Sequence, residues 1–225
     1  FADAMAAALR DGDCPELALL TGDLVQDPEP SAYRRLQRRL LTLPCPAYCL
    51  AGNHDDPALV ARNLVGGNVH FQPAVVLDHW QIICLDSTVP HQPHGRLSDQ
   101  QLAWLNDSLS GHPNHHALVA LHHHPVPSGS LWMDSMLLEN REAFFDVLVK
   151  HPQARAVVFG HVHQAMDVFL HGMRILGTPS TCFQFKPNEQ TFTLDRQPPG
   201  YRWLELFADG RLETSLGYVP ALPLD

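Results

Sequence analysis

No stretch of this sequence is long and apolar enough to cross a bilayer. Apolar runs such as residues 117–121 and 156–159 fall far short of the ~18 residues that a spanning helix needs. Positive charge is scarce, with 15 Lys and Arg against 24 Asp and Glu and a net charge of −9. A non-specific nucleic-acid binder needs a basic face to neutralise phosphates, so that class is excluded. Cysteine is sparse and odd in number: Cys14, Cys45, Cys49, Cys84 and Cys182. Three of these lie in apolar, strand-like runs, which reads as buried thiols in a reduced, cytoplasmic protein rather than a disulfide framework. Cys45 and Cys49 have no second pair at zinc-knuckle spacing. There is no internal repeat, low-complexity tract or clear linker. With 45% hydrophobic and 17% charged residues over 225 positions, the chain fits one domain and neither a disordered tail nor a coiled coil. Histidine is abundant instead: its 15 copies equal Lys and Arg together.

The chain repeats the order strand, loop, helix. Residues 16–20 and 47–50 read as short strands. Between them Tyr33, Leu36, Leu40 and Leu43 share a helical face, with Ser31 as the expected cap and Arg34, Arg35, Arg38 and Arg39 turned outward. Ser98 with Gln101 three residues on forms a capping-box pattern ahead of Leu102, Leu105 and Leu109. Asn140 is the expected cap of a helix reaching residue 149. Residues 75–77 and 81–85 read as paired strands, and 117–121 and 156–159 as buried ones. The tail is strand-rich, with a hairpin turn signalled at Asp209-Gly210.

Four apolar strands each run into a polar cluster. These clusters are Thr21-Gly22-Asp23, Gly52-Asn53-His54-Asp55, His122-His123-His124 and Gly160-His161-Val162-His163. In α/β sheets, ligands bind outside the carboxyl ends of the strands, so all four clusters are expected to face one crevice. Asp, Asn and several His offer mixed oxygen and nitrogen ligation without thiolate. That favours manganese, iron, zinc or cobalt over a Cys-type structural zinc. One carboxylate can bridge two cations, and two metals ~3.5–4 Å apart can clamp a transferring phosphoryl group. A lone histidine at a strand end is more often a hydrogen-bonded surface residue; four such clusters together are not explained by chance.

In order and rough spacing these clusters resemble the calcineurin-like metallophosphoesterases, and most of all their bacterial class III 3′,5′-cyclic AMP phosphodiesterases. Residues 97–105, 122–127, 179–187, 192–195 and 199–202 support the closer resemblance, which covers essentially the whole chain. It implies an α-β-β-α sandwich of two mixed sheets flanked by helices, and hydrolysis of 3′,5′-cyclic AMP to 5′-AMP with two divalent ions as cofactors. It also implies roles. Asp23 is the bridging carboxylate. Asn53, His122 and His161 complete one metal site, with His123 as second choice for His122. His163 serves the other metal. Asn53 and His54 hold the substrate phosphate, His54 is the general acid, and Asp55 orients it. The substrate is then a small cyclic nucleotide, with no nucleic acid and no membrane span; a homo-oligomer is left open. The Pro179-to-Pro187 stretch is expected on the nucleotide side, with Gln184 reading adenine and Phe183 or Phe185 stacking on it.

The family also carries an Asp-x-His motif on its first strand. None precedes Asp23 here, since Asp3, Asp11 and Asp13 have no His two residues on. The expectation is therefore a single metallophosphoesterase domain over 1–225 without that strand. Two alternatives stay open: a phosphodiesterase for another substrate such as glycerophosphodiesters, and a catalytically impaired phosphoesterase-fold module.

Overall fold

The computed structural model describes residues 1–10 and 14–219; Asp11 and Asp13 lie outside the described residues. Six strands form the larger sheet, in the order β4 (Ala74–Val76), β5 (Trp80–Cys84), β6 (His116–Leu121), β7 (Ala154–Phe159), β9 (Met173–Gly177), β8 (Met166–Leu170). A smaller sheet takes β1 (Ala18–Leu20), β2 (Ala47–Cys49) and β3 (Val69–His70). An antiparallel hairpin, β10 (Gly200–Leu206) with β11 (Leu212–Tyr218), forms a separate pair beside α1 (Ala2–Ala8).

Side chains of β6 and β7 alternate between two cores, as strand geometry demands. Val119, Leu121, Val157 and Phe159 face a core completed by α4 (Asp99–Gly111) and α6 (Arg141–Leu148). Leu118, Ala120, Ala156 and Val158 face Leu17, Leu19 and Leu50 of the smaller sheet's layer, together with Leu204, Leu206 and Leu212 of the hairpin. Because both faces are buried, these strands read as unbroken apolar runs. On the far side of the smaller sheet, α2 (Pro30–Leu40) and α3 (Pro57–Asn63) bring Tyr33, Leu40 and Val60 to a third core. The layer order is thus helix, sheet, sheet, helix, as expected. The larger sheet is mixed, whereas β1, β2 and β3 are parallel to one another, because helical crossovers return the chain in the same direction each time.

Two expected caps are replaced. Helix α2 starts two residues earlier than Ser31 implies, with Glu29 at the cap position and Pro30 at the first turn. Proline suits that position, where its missing N–H has no helical partner anyway. Asn140 stands at the start of α6 but makes no side-chain cap. Its amide instead bonds the backbone N–H and C=O of Leu97, tying α6 to the approach of α4. Ser98 does cap α4, accepting from Gln101 N.

Cys45, Cys49 and Cys84 are buried free thiols, while Cys14 and Cys182 are exposed. Burial pushes Cys49 and Cys84 up to about 12 and raises Cys45 as well. The thiolate is the reactive form. An aromatic disulfide reagent at mildly alkaline pH should therefore titrate only Cys14 and Cys182 in the native protein, and all five thiols in denaturant. Rapid labelling of a third thiol before denaturation would contradict the burial that keeps these thiols protonated.

Candidate metal centre

The four polar clusters do meet. Asp23 follows β1, Asn53 and His54 follow β2, His122 follows β6, and His161 and His163 follow β7. Tight turns bring them in. Asp23, His161 and His163 all have left-handed backbone, with φ of 52°, 61° and 48°. Such conformations are costly for non-glycine residues and concentrate at functional sites. Gly52 is required by close approach: a Cβ there would overlap Asp23 and come within 2.8 Å of His122 Cε1.

His122 is the hub and is fully buried. Its Nδ1 donates to the Thr21 carbonyl at 2.7 Å, which leaves Nε2 with a free lone pair. That Nε2 faces Asn53 Oδ1 at 3.1 Å, His161 Nδ1 at 3.1 Å and Asp23 Oδ1 at 3.4 Å. Burial alone would depress the imidazole of His122, but the Asp23 carboxylate outweighs it and pushes it up. Burial alone would raise Asp23, yet His122 holds it well below the usual carboxylate range. Burial, reinforced by His122 and His123, keeps His161 well below the ordinary histidine value.

This donor set fits a divalent cation. Three or four electron-pair donors point at one another with too few protons between them, and a cation relieves that repulsion. A carbonyl bond on the far ring nitrogen fixes the tautomer that a ligating histidine needs. His163 has the same arrangement: Nδ1 lies 2.9 Å from the Phe183 carbonyl, and its ring stacks on Phe185 at 4.4 Å between centroids. Burial brings His163 down to about 4 despite Asp23 nearby, so it is neutral at pH 7 and free to ligate.

His123, the second choice at the triplet, is also fully buried. Its Nδ1 lies 2.8 Å from Ser87 Oγ, and its Nε2 has no hydrogen-bond partner. One ring nitrogen from each of His122, His123 and His161 lies within 4.8 Å of the other two. His123 therefore backs the site directly. Ser87, which the sequence reading passed over, is the residue that holds it. The signal was its place just beyond the end of β5, one strand away from His122.

His54 is exposed and sits at the rim. Its backbone N–H donates to Asp23 Oδ1 at 3.0 Å. Its ring Nδ1 lies 3.2 Å from both the carbonyl oxygen and the side-chain nitrogen of Gln26. Gln26, not Asp55, holds this ring. The Asp55 carboxylate accepts from Gly52 N at 2.9 Å, Leu24 N at 3.0 Å and Tyr33 Oη at 3.1 Å. Asp55 thus latches the loop after β2 to the loop after β1. The expected adenine reader is corrected too. Gln184 is buried, and its amide is consumed by Ser180 N, Ser180 O and Pro198 O, so it braces the 180–198 loop. Phe185 is spent on the His163 ring, whereas Phe183 is 40% exposed and remains open to a ligand.

The profile of the calcineurin-like phosphoesterase family matches residues 2–165. A 3′,5′-cyclic adenosine monophosphate phosphodiesterase CpdA from Pseudomonas aeruginosa is 42% identical over 204 residues, covering 91% of this chain and 75% of that protein. The CpdA of Escherichia coli strain K12 is 42% identical over 202 residues, covering 89% and 74%. Among solved structures, a dimetal phosphatase from Danio rerio superposes with a TM-score of 0.61 at 16% identity, over 79% of this chain and 77% of that one; this likeness concerns the fold alone.

Proposed function

The chain belongs to the calcineurin-like phosphoesterase family, and from that premise we propose that it is a metal-dependent phosphodiesterase that opens 3′,5′-cyclic AMP to 5′-AMP. One observation carries the reading: His122 Nε2 converges with Asp23, Asn53 and His161 in a chain this close to cyclic AMP phosphodiesterases. Asp23, Asn53, His122 and His161 would hold one divalent ion, and Asp23 with His163 would serve a second; iron, manganese, zinc and cobalt all suit these donors. When bound, such ions offset phosphate charge and lower the pKa of water toward neutrality.

The protein's own groups do the rest. With Oδ1 turned to the metal side, the Asn53 amide N–H donates to a phosphate oxygen. The Gln26 carbonyl accepts from His54 Nδ1–H, which orients the ring and leaves Nε2–H for the substrate. Water adds to phosphorus in line with the ribose 3′-oxygen and releases one proton to solvent, from which His54 is recharged after each turnover. The P–O3′ bond breaks, and the Nε2 proton of His54 passes to O3′, giving 5′-AMP with a free 3′-hydroxyl. The free thiols suit a cytoplasmic setting.

The test is to strip the protein with chelator, reload it with manganese, and offer cyclic AMP, glycerophosphocholine and bis(p-nitrophenyl) phosphate. Metal-dependent release of 5′-AMP is expected. Turnover of glycerophosphocholine without cyclic AMP would favour the other phosphodiesterase reading. Tight metal binding without turnover of any substrate would make the chain a catalytically impaired module.

A further inference from the structure

A cavity of about 230 Å³ opens at the ends of β2 and β5, lined by Cys49, Leu50, Ala51, Pro57, Phe71, Gln72, Pro73, Cys84, Asp86 and Gln101. Ala51 and Pro57 bracket the loop that carries Asn53 and His54. Strand β5 lies beside β6, with Cys84 level with Ala120, so Asp86 follows the end of β5 as His122 follows the end of β6. The cavity therefore lies next to the loop that carries Asn53 and His54. In the mechanism above His54 protonates the ribose oxygen, so the sugar and its base leave the phosphate on that same side.

The walls and the polar groups suit a heteroaromatic ring. Leu50, Ala51, Pro57, Phe71 and Pro73 are apolar. At the polar end, Asp86 Oδ1 is occupied by Thr88 N and Oγ1 at 2.9 and 2.7 Å. Among the described residues no donor is recorded on Oδ2. Gln101 Oε1 accepts from Asp86 N at 3.3 Å, which fixes the amide so that its NH₂ is the group left over. A free carboxylate oxygen beside a free amide donor matches adenine, whose exocyclic amine donates and whose ring nitrogen accepts. Guanine presents its O6 acceptor where adenine presents the amine. The volume lies below the ~300–1,000 Å³ of sites that engulf a drug-sized ligand, as befits one base rather than a whole nucleotide.

We propose that this cavity is the base subsite, with Asp86 and Gln101 selecting the adenine of the cyclic nucleotide; the assignment rests on the phosphodiesterase reading above. A site built to hydrogen-bond one edge rejects a partner that leaves its polar groups unmatched.

The test compares wild type, Asp86→Asn, Gln101→Leu and Gln72→Trp, the last narrowing an exposed wall. For each, kcat/KM is measured on cyclic AMP, cyclic GMP and bis(p-nitrophenyl) phosphate, and 5′-AMP binding is measured by calorimetry. Loss of one good base contact is expected to lower the cyclic AMP to cyclic GMP ratio about ten-fold or more. Gln72→Trp should raise KM for cyclic AMP and weaken 5′-AMP binding. The aryl diester, which has no base, should lose far less rate than cyclic AMP in all three. Unaltered ratios and unaltered 5′-AMP binding in a protein that hydrolyses cyclic AMP would overturn the cavity assignment alone, leaving Phe183 as the stacking partner. A wild type that turns over the aryl diester but neither cyclic nucleotide would overturn the cyclic-nucleotide reading itself.

Discussion

His54→Ala should lower kcat on cyclic AMP by ~10²–10⁴-fold, the usual worth of a positioned general acid, with metal content unchanged. Among the described residues, the hydrogen-bond partners of the His54 ring are the carbonyl and amide of Gln26. Only its backbone N–H touches a ligand, Asp23 Oδ1 at 3.0 Å, and alanine keeps that N–H. An interaction made chiefly in the transition state lowers kcat and kcat/KM together. The leaving group supplies a control. Nitrophenolate departs without help, so bis(p-nitrophenyl) phosphate should lose far less rate than cyclic AMP. Equal losses on both substrates would mean that His54 binds phosphate rather than delivering a proton. Loss of metal in the variant would make the ring a ligand.

Asp55→Ala should destabilise the fold by roughly 3–5 kcal/mol, since each buried donor stripped of its partner costs about 1–3 kcal/mol. Three donors are involved: Gly52 N, Leu24 N and Tyr33 Oη. Tyr33 is itself fully buried, and its hydroxyl in turn accepts from Asp56 N at 3.0 Å, at the start of α3. Burial pushes the Asp55 carboxyl upward while the Gly52 and Leu24 N–H bonds oppose that, as expected for an anion taken into the interior to satisfy backbone. Tyr33→Phe removes one of the three bonds to Asp55 and also strips Asp56 N of its acceptor, so it should cost about two-thirds as much. Urea unfolding of both variants, with metal affinity measured alongside, decides the matter. If Asp55→Ala keeps wild-type stability and loses only kcat, then Asp55 acts on catalysis and the latch is wrong.

Asp55 also marks where the sequence stops being readable. Its neighbour His54 suggested a local partnership, but its true partners lie in the loop after β1 and on α2, and nothing in one-dimensional spacing ties residue 55 to residues 24 and 33. Gln184 failed for the same reason: its amide bonds to residues 180 and 198, which only the folded loop brings near. Features written in local pattern were legible. The buried strands β6 and β7 show as apolar runs, the ligand clusters follow strand ends, and Ser98 caps α4. Helix α3 was missed although its signal is present: Asp56 accepts from Ala58 N and Leu59 N, and Pro57 opens the first turn. Strand β3, two residues long, and the single turn α5 (Leu131–Asp134) are too short to show any period.

The donors of the proposed metal centre are shared between the two layers of the sandwich. Asp23 and Asn53 hang from the smaller sheet, and His122, His161 and His163 from the larger. An ion gripped by both is a rivet through the interface, so occupancy and cohesion of the sheets are linked by mass action. At a free ion concentration a hundred times its dissociation constant, the folded state gains about 2.7 kcal/mol. For a chain of this size that moves the melting temperature by roughly 5–10 °C. Chelation should accordingly let the two sheets part more readily, and the cell's supply of metal would set how long the protein survives as well as how fast it turns over.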